Sequence, residues 1–108
     1  MKTEAVVEKL GLKILAGEVS SEFSGVYAGD LLSRAMSHVT EVDLWITIMS
    51  NVNVIAVAGL TEAAAVILAE DVAMEPEVLA AAEAKGVTVL SCDKTVYEIC
   101  LGIAEAVS

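Results

Sequence analysis

From Asp43 to Ala58 the chain reads DLWITIMSNVNVIAVA: an apolar run, a short polar break, then a second apolar run. Leu44 to Met49 is rich in β-branched side chains, the mark of a strand buried on both faces. Ser50-Asn51-Val52-Asn53 interrupts it, and the residues from Val52 to Gly59 then predict an apolar helix. A strand feeding a helix through a short polar turn leaves free backbone N–H groups at the helix start. In open α/β sheets, ligands bind beside such turns, at the carboxyl ends of the strands.

The same alternation runs through the rest of the chain. Thr3 is placed to cap a helix to Leu10, with Gly11 as its left-handed terminator. Lys13 to Ala16 and Phe23 to Ala28 read as strands, and Asp30 is placed to cap a helix to about His38. Ala64 to Leu68 is a fully apolar strand. Pro76 opens a helix that Gly86 ends, and Val87 to Ser91 is the last strand. Thr95-Val96-Tyr97-Glu98 has the pattern of a capping box. Val96, Ile99, Cys100, Ile103 and Val107 then recur at helical spacing as a core stripe, with Tyr97 and Leu101 off it. Strands alternating with helices predict an α/β fold. Residues 1–108 form a single small domain, with a mainly parallel sheet flanked by helices on both faces.

Composition sharpens this picture. The chain has 108 residues, 56% of them hydrophobic and only 4% aromatic, so its core is aliphatic. That apolar fraction exceeds the globular norm of roughly 45–50%. In a small domain such an excess implies surface hidden by a partner, most simply a second copy. Tyr97 and Leu101 are the contact candidates. Sixteen acidic against six basic residues give a net charge of −10, which repels phosphate backbones and anionic membranes. No nucleic-acid or membrane partner is expected. Met1-Lys2-Thr3-Glu4 leads into a helix containing acids, not into an apolar leader, and Thr61-Glu62 divides the apolar stretch from Val54 to Ala69 into a helix and a strand. The chain reads as soluble and cytoplasmic.

Motifs for catalysis are missing. There is no Walker-type phosphate loop, no GxGxxG, and the one histidine, His38, sits near a helix end where the dipole favours it. Cys92 and Cys100 are not spaced as a CxxC pair; Cys100 reads as a core residue and Cys92, after a strand end, as partly exposed. Glu62, Glu70, Asp71, Glu75 and Glu77 lack the periodicity of a calcium loop. No cofactor and no metal site is expected. Ligand contacts fall instead on the turns after three strands: Gly29 and Asp30; Ser50, Asn51 and Asn53; Cys92 and Thr95. Their amide and hydroxyl groups both donate and accept, which suits a polar, uncharged group better than a bare phosphate.

The succession Ser24-Gly25-Val26-Tyr27-Ala28-Gly29-Asp30-Leu31-Leu32, Asp43-Leu44-Trp45-Ile46-Thr47-Ile48 and Val54-Ile55-Ala56-Val57-Ala58 resembles DRTGG domains. Gly86-Val87-Thr88-Val89-Leu90-Ser91 and Thr95-Val96-Tyr97-Glu98-Ile99 look like that family's closing strand and helix. Where the family carries Gly-Asp-Arg this chain reads Ser50-Asn51-Val52-Asn53, and its Thr-Gly-Gly is replaced by Ala69-Glu70-Asp71. The resemblance implies a domain found beside CBS modules, in phosphotransacetylase-type proteins or free-standing, some near hydrogenase genes. It is similar to the amino-terminal, non-catalytic domain of HPr kinase. Function is then expected to be regulatory or small-molecule binding, without catalysis, through homo-oligomers and a protein partner or polar small molecule. The alternative is a small redox or metal-dependent accessory protein using Cys92 or the acidic cluster.

Overall fold

The computed structural model describes residues 1–108. Ten elements alternate: α1 (Thr3–Leu10), β1 (Lys13–Ala16), β2 (Gly25–Ala28), α2 (Leu32–His38), β3 (Asp43–Thr47), α3 (Val52–Thr61), β4 (Ala65–Leu68), α4 (Pro76–Lys85), β5 (Val89–Ser91) and α5 (Val96–Val107). The five strands form one sheet in the order β1-β5-β4-β3-β2. β2 to β5 run parallel, and β1 joins the edge of β5 antiparallel. The α/β fold with a mainly parallel sheet is the one the sequence pattern predicts.

Side chains alternate across a sheet, so a strand covered on both faces must be apolar at every position. In β3, Trp45 points into one core with Val66 and Leu68 of β4, beneath α2, α3 and α4. Leu44 and Ile46 point into the other with Ile67 and Leu90, beneath α1 and α5. This is why Leu44–Ile46 and Ala65–Leu68 show no polar alternation. The apolar stretch from Val54 to Ala69 is accordingly α3 plus β4, and no helix is long and apolar enough to cross a membrane.

Local signals act as their chemistry dictates at several ends. Gly11 and Gly86 adopt left-handed conformations (φ 67° and 70°) and close α1 and α4, whose first residue at the α4 start is Pro76. Other ends differ from the sequence reading. The residue capping α1 is Lys2, without a side-chain bond, whereas Thr3 is fully buried inside the helix. Its hydroxyl bonds Ser21 Oγ (2.9 Å), which in turn donates to Ala64 O (3.0 Å). A burial site with a waiting acceptor outcompetes the cap. Phe23 precedes β2 rather than belonging to it, because its backbone exchanges bonds with Met1. β3 stops at Thr47, where Ile48 and Met49 turn their N–H groups to side chains. α3 runs two residues past Gly59 and ends at a left-handed Glu62.

The last helix keeps Ile99 and Ile103 in the core, with Val96 and Cys100 packed against it. Val107, predicted on the same stripe, is 54% exposed. Its turn overhangs the open side of β2, where the sheet ends. Tyr97 and Leu101 face outward as the periodicity implies. Gly102 sits at a close approach of two helices: a Cβ there would stand 3.1 Å from the Leu10 side chain of α1, which would have to shift.

Candidate functional site

Four parallel strands deliver their carboxyl ends to one edge of the sheet, so the turns after β2, β3, β4 and β5 share that edge. The sheet order sets which of them touch. β2 and β3 are neighbours, whereas β4 separates β3 from β5. With roughly 4.8 Å between strands, the β5 turn stands about 10 Å from the β3 turn. The residues singled out in the sequence therefore fall into two groups.

The first group holds Gly29, Asp30, Ser50, Asn51 and Asn53. Asp30 does not cap α2; Leu31 occupies that position without a side-chain bond. Asp30 Oδ1 instead accepts from the Thr47 hydroxyl (2.6 Å) and the Ile48 N–H (3.0 Å). Thr47 is fully buried at the end of β3 and needs an acceptor, and hydrogen bonds to a carboxylate are among the stronger ones. Gly29 O accepts from the buried Trp45 Nε1 (3.0 Å). These three bonds clamp the β2 turn onto the end of β3 and its turn. A Cβ on Gly29 would stand 3.1 Å from the Tyr27 ring, and one on Gly25 would run into the Asp43 carboxylate. Both glycines thus make room for the chain's own groups.

Beyond the clamp, Asn51 caps α3 by accepting from the Asn53 N–H (3.0 Å), and the Val54 N–H donates to Asn51 O (3.1 Å). Capping therefore consumes much of the donor supply at this helix start. The Ser50 hydroxyl and the carboxamide of Asn53 have no partner among the chain's own hydrogen bonds, and Asn51 and Asn53 are exposed. They form an open shelf rather than a cavity: none of the larger depressions is lined by Ser50, Asn51 or Asn53.

The second group holds Cys92 and Thr95. Thr95 is spent in the capping box: its Oγ1 accepts from the Glu98 N–H (3.1 Å), and its N–H donates to Glu98 Oε1 (2.9 Å). Cys92 is buried, not partly exposed, because its chain continues the β ladder, its N–H donating to Leu68 O. The β4 turn is bound to this group by Glu70 N–H to Lys94 O and Asp71 N–H to Cys92 O, both 2.8 Å. Glu70 and Asp71 are held left-handed (φ 58° and 57°), a conformation natural to glycine. Replacing Glu70 by Gly is expected to raise stability by roughly 0.5–1 kcal/mol, less than the full left-handed cost because Gly also loosens the unfolded chain. Chemical denaturation with Glu70→Ala as the control, which brings no such relief, checks it.

The acidic cluster does not assemble. Glu62 ends α3 at the opposite edge of the sheet from Glu70, Asp71, Glu75 and Glu77, and no three His, Cys, Asp or Glu side chains converge on one point. The largest depression, about 470 Å³, lies at that opposite edge, beside Glu18, Glu41, Glu62 and Glu83. Burial pushes the Cys100 thiol up, which keeps it protonated and weakly nucleophilic. His38 is exposed, bonds Arg34 O (2.9 Å) through Nδ1 and stacks on Tyr27 with centroids 6.2 Å apart. The sequence reading missed Thr47 as the partner of Asp30; the only trace of it was a hydroxyl residue inside an otherwise apolar strand.

A mainly parallel sheet covered by helices on both faces defines a small three-layer α/β domain. The chain belongs to the DRTGG domain family, whose model matches residues 5–106. No curated protein matches it. Among solved structures it is similar to the CBS and DRTGG domains of the regulatory region of Clostridium perfringens pyrophosphatase, complexed with its activator diadenosine tetraphosphate. The match has a TM-score of 0.79 at 12% identity and covers 97% of this chain and 46% of that one. The chain thus spans about half the length of that neighbour.

Proposed function

We propose that this domain is a non-catalytic regulatory module that binds a polar, uncharged group of a small molecule on the shelf formed by Asp30, Ser50, Asn51 and Asn53, and that it works as a homo-oligomer. Membership of the DRTGG family is the observation that carries this reading. The fold neighbour, a regulatory region complexed with a nucleotide activator, supports a ligand-responsive role. Within the shelf, the Asp30 clamp fixes the two turns relative to each other, leaving amide and hydroxyl groups facing outward. The carboxylates of Glu70, Asp71 and Glu75 on the next turn disfavour a bare anion. The redox or metal-dependent alternative has less support, with Cys92 buried and the acids divided between two edges.

A thermal-shift screen across nucleosides, nucleotides, acyl phosphates and divalent metals tests the reading, since a ligand of the native state raises its melting temperature. Asn51 and Asn53 then separate binding from capping. Asn51→Ala removes the cap and is expected to cost about 1 kcal/mol of stability. Asn53 contributes only its backbone N–H to the cap, so Asn53→Ala is expected to leave stability within about 0.5 kcal/mol while weakening the screened compound. Unchanged affinity in Asn53→Ala contradicts the shelf.

A further inference from the structure

The β2 side of the sheet is unfinished. β2 pairs with β3 alone, and Gly25 and Gly29 donate inward to Val42 O and Ile46 O. Strand alternation then turns the N–H and C=O of Val26 and Ala28 outward, where no strand lies. The other edge is guarded: β1 starts with Lys13 and slips register between Ile14 and Ala16, both devices against edge pairing. β2 reads Gly-Val-Tyr-Ala and carries neither.

Beside this open edge runs an apolar groove of about 360 Å³ between β2 and α5, lined by Val26, Ala28, Cys100, Ala104 and Val107 among others. None of its lining residues is charged, in a chain with 16 acids and 6 bases. α5 is apolar on this outer side too, since Tyr97, Leu101 and Ala104 repeat at helical spacing and are exposed. Isolated domains rarely expose apolar side chains in so contiguous a run.

We propose that a second copy of this chain docks here, the two β2 strands pairing antiparallel about a twofold axis at Tyr27, with both α5 helices on the same face of the joined sheet. The free edge sets the axis. Met1 occupies the backbone of Phe23 on one side (2.8 and 2.9 Å), and Leu31, the capping residue of α2, bounds the stretch on the other. The stretch between, Ser24 to Asp30, has Tyr27 at its midpoint. An axis there sets Val26 opposite the partner's Ala28, so that each exchanges N–H and C=O with the other. Charge argues against the slip toward Val26. With the axis at Tyr27, Asp30 lies opposite Ser24; moving the axis to Val26 sets Glu22 opposite Asp30, a like-charge pair. Two chains of net charge −10 associate best through a face without charge, and this groove is such a face.

This inference rests on the reading that the domain self-associates, and the test separates the two. Sedimentation equilibrium over roughly 1–100 µM, the range of moderate affinities, compares the unaltered chain with Ala28→Pro and Ala104→Glu. The proline removes an outward N–H without touching the β3 ladder, and the glutamate places a charge in the groove at an exposed helix position. The unaltered chain is expected to be a dimer, and each variant, folded by circular dichroism, to dissociate at least tenfold more readily. A monomer at every concentration in the unaltered chain overturns self-association itself. An unchanged dimer in either folded variant overturns this interface alone. Should Ala28→Pro fail to fold, Ala104→Glu decides.

Discussion

Trp45→Ala is expected to destabilise the domain by about 3–5 kcal/mol, the cost of removing a large buried aromatic and leaving a cavity. Trp45 is fully buried in β3, in the core beneath α2, α3 and α4, and it is the chain's one tryptophan. For a domain of this size such a loss lowers the melting temperature by roughly 12–25 °C. Trp45→Phe separates the two contributions. It keeps most of the apolar volume but removes the Nε1 donor to Gly29 O, for an expected loss of roughly 1–2 kcal/mol from the bond and some packing. Urea unfolding of the two variants gives the comparison. A loss below about 1 kcal/mol in Trp45→Ala would mean that the β3 centre is not packed as described.

Asp30→Ala is expected to cost roughly 2 kcal/mol, although Asp30 lies at the surface, where substitutions usually change stability by under about 0.5 kcal/mol. The reason is its partner. Without the carboxylate, the hydroxyl of the fully buried Thr47 loses its acceptor and the Ile48 N–H loses its own. Asp30→Asn retains a carbonyl oxygen as acceptor and is expected to lose about half as much. Thr47→Val closes the cycle. The Asp30–Thr47 coupling is expected to exceed about 1 kcal/mol in a double-mutant cycle, whereas additive losses would show that the two side chains do not act together.

Local chemistry was legible in the sequence and distant pairing was not. Pro76 and Gly86 bound α4, and Thr95 with Glu98 starts α5, because each signal and its target lie within one helical turn. The buried strands were legible because coverage on both faces leaves no room for polar alternation. Asp30 was misassigned as a cap because its acceptor role is decided by Thr47, 17 residues away across a strand pair. Cys92 was read as partly exposed because nothing local shows that the ladder continues past Ser91. The left-handed turn at Glu70-Asp71 had no glycine to announce it; cross-turn bonds to Cys92 and Lys94 hold it there. Val107 followed the right period but lies beyond the sheet that would have covered it.

The candidate site was legible in part for the same reason. The turns after β2 and β3 were correctly placed on one edge because parallel strands must deliver their carboxyl ends together. That the β5 turn lies apart follows from strand order, which the sequence pattern leaves open. The five residues at Gly29–Asp30 and Ser50–Asn53 therefore remain as one shelf, and Cys92 and Thr95 serve the ladder and the helix cap.

The most direct measurement is amide chemical-shift mapping of the protein with the compound that stabilises it most in the thermal screen. Binding at the shelf predicts shifts concentrated at residues 29–31 and 48–54, with the amides of 92–95 and of the acidic opposite edge near Glu41 and Glu83 unmoved. Shifts centred on either of those regions, or no stabilising compound in the panel, contradict the shelf as the binding site.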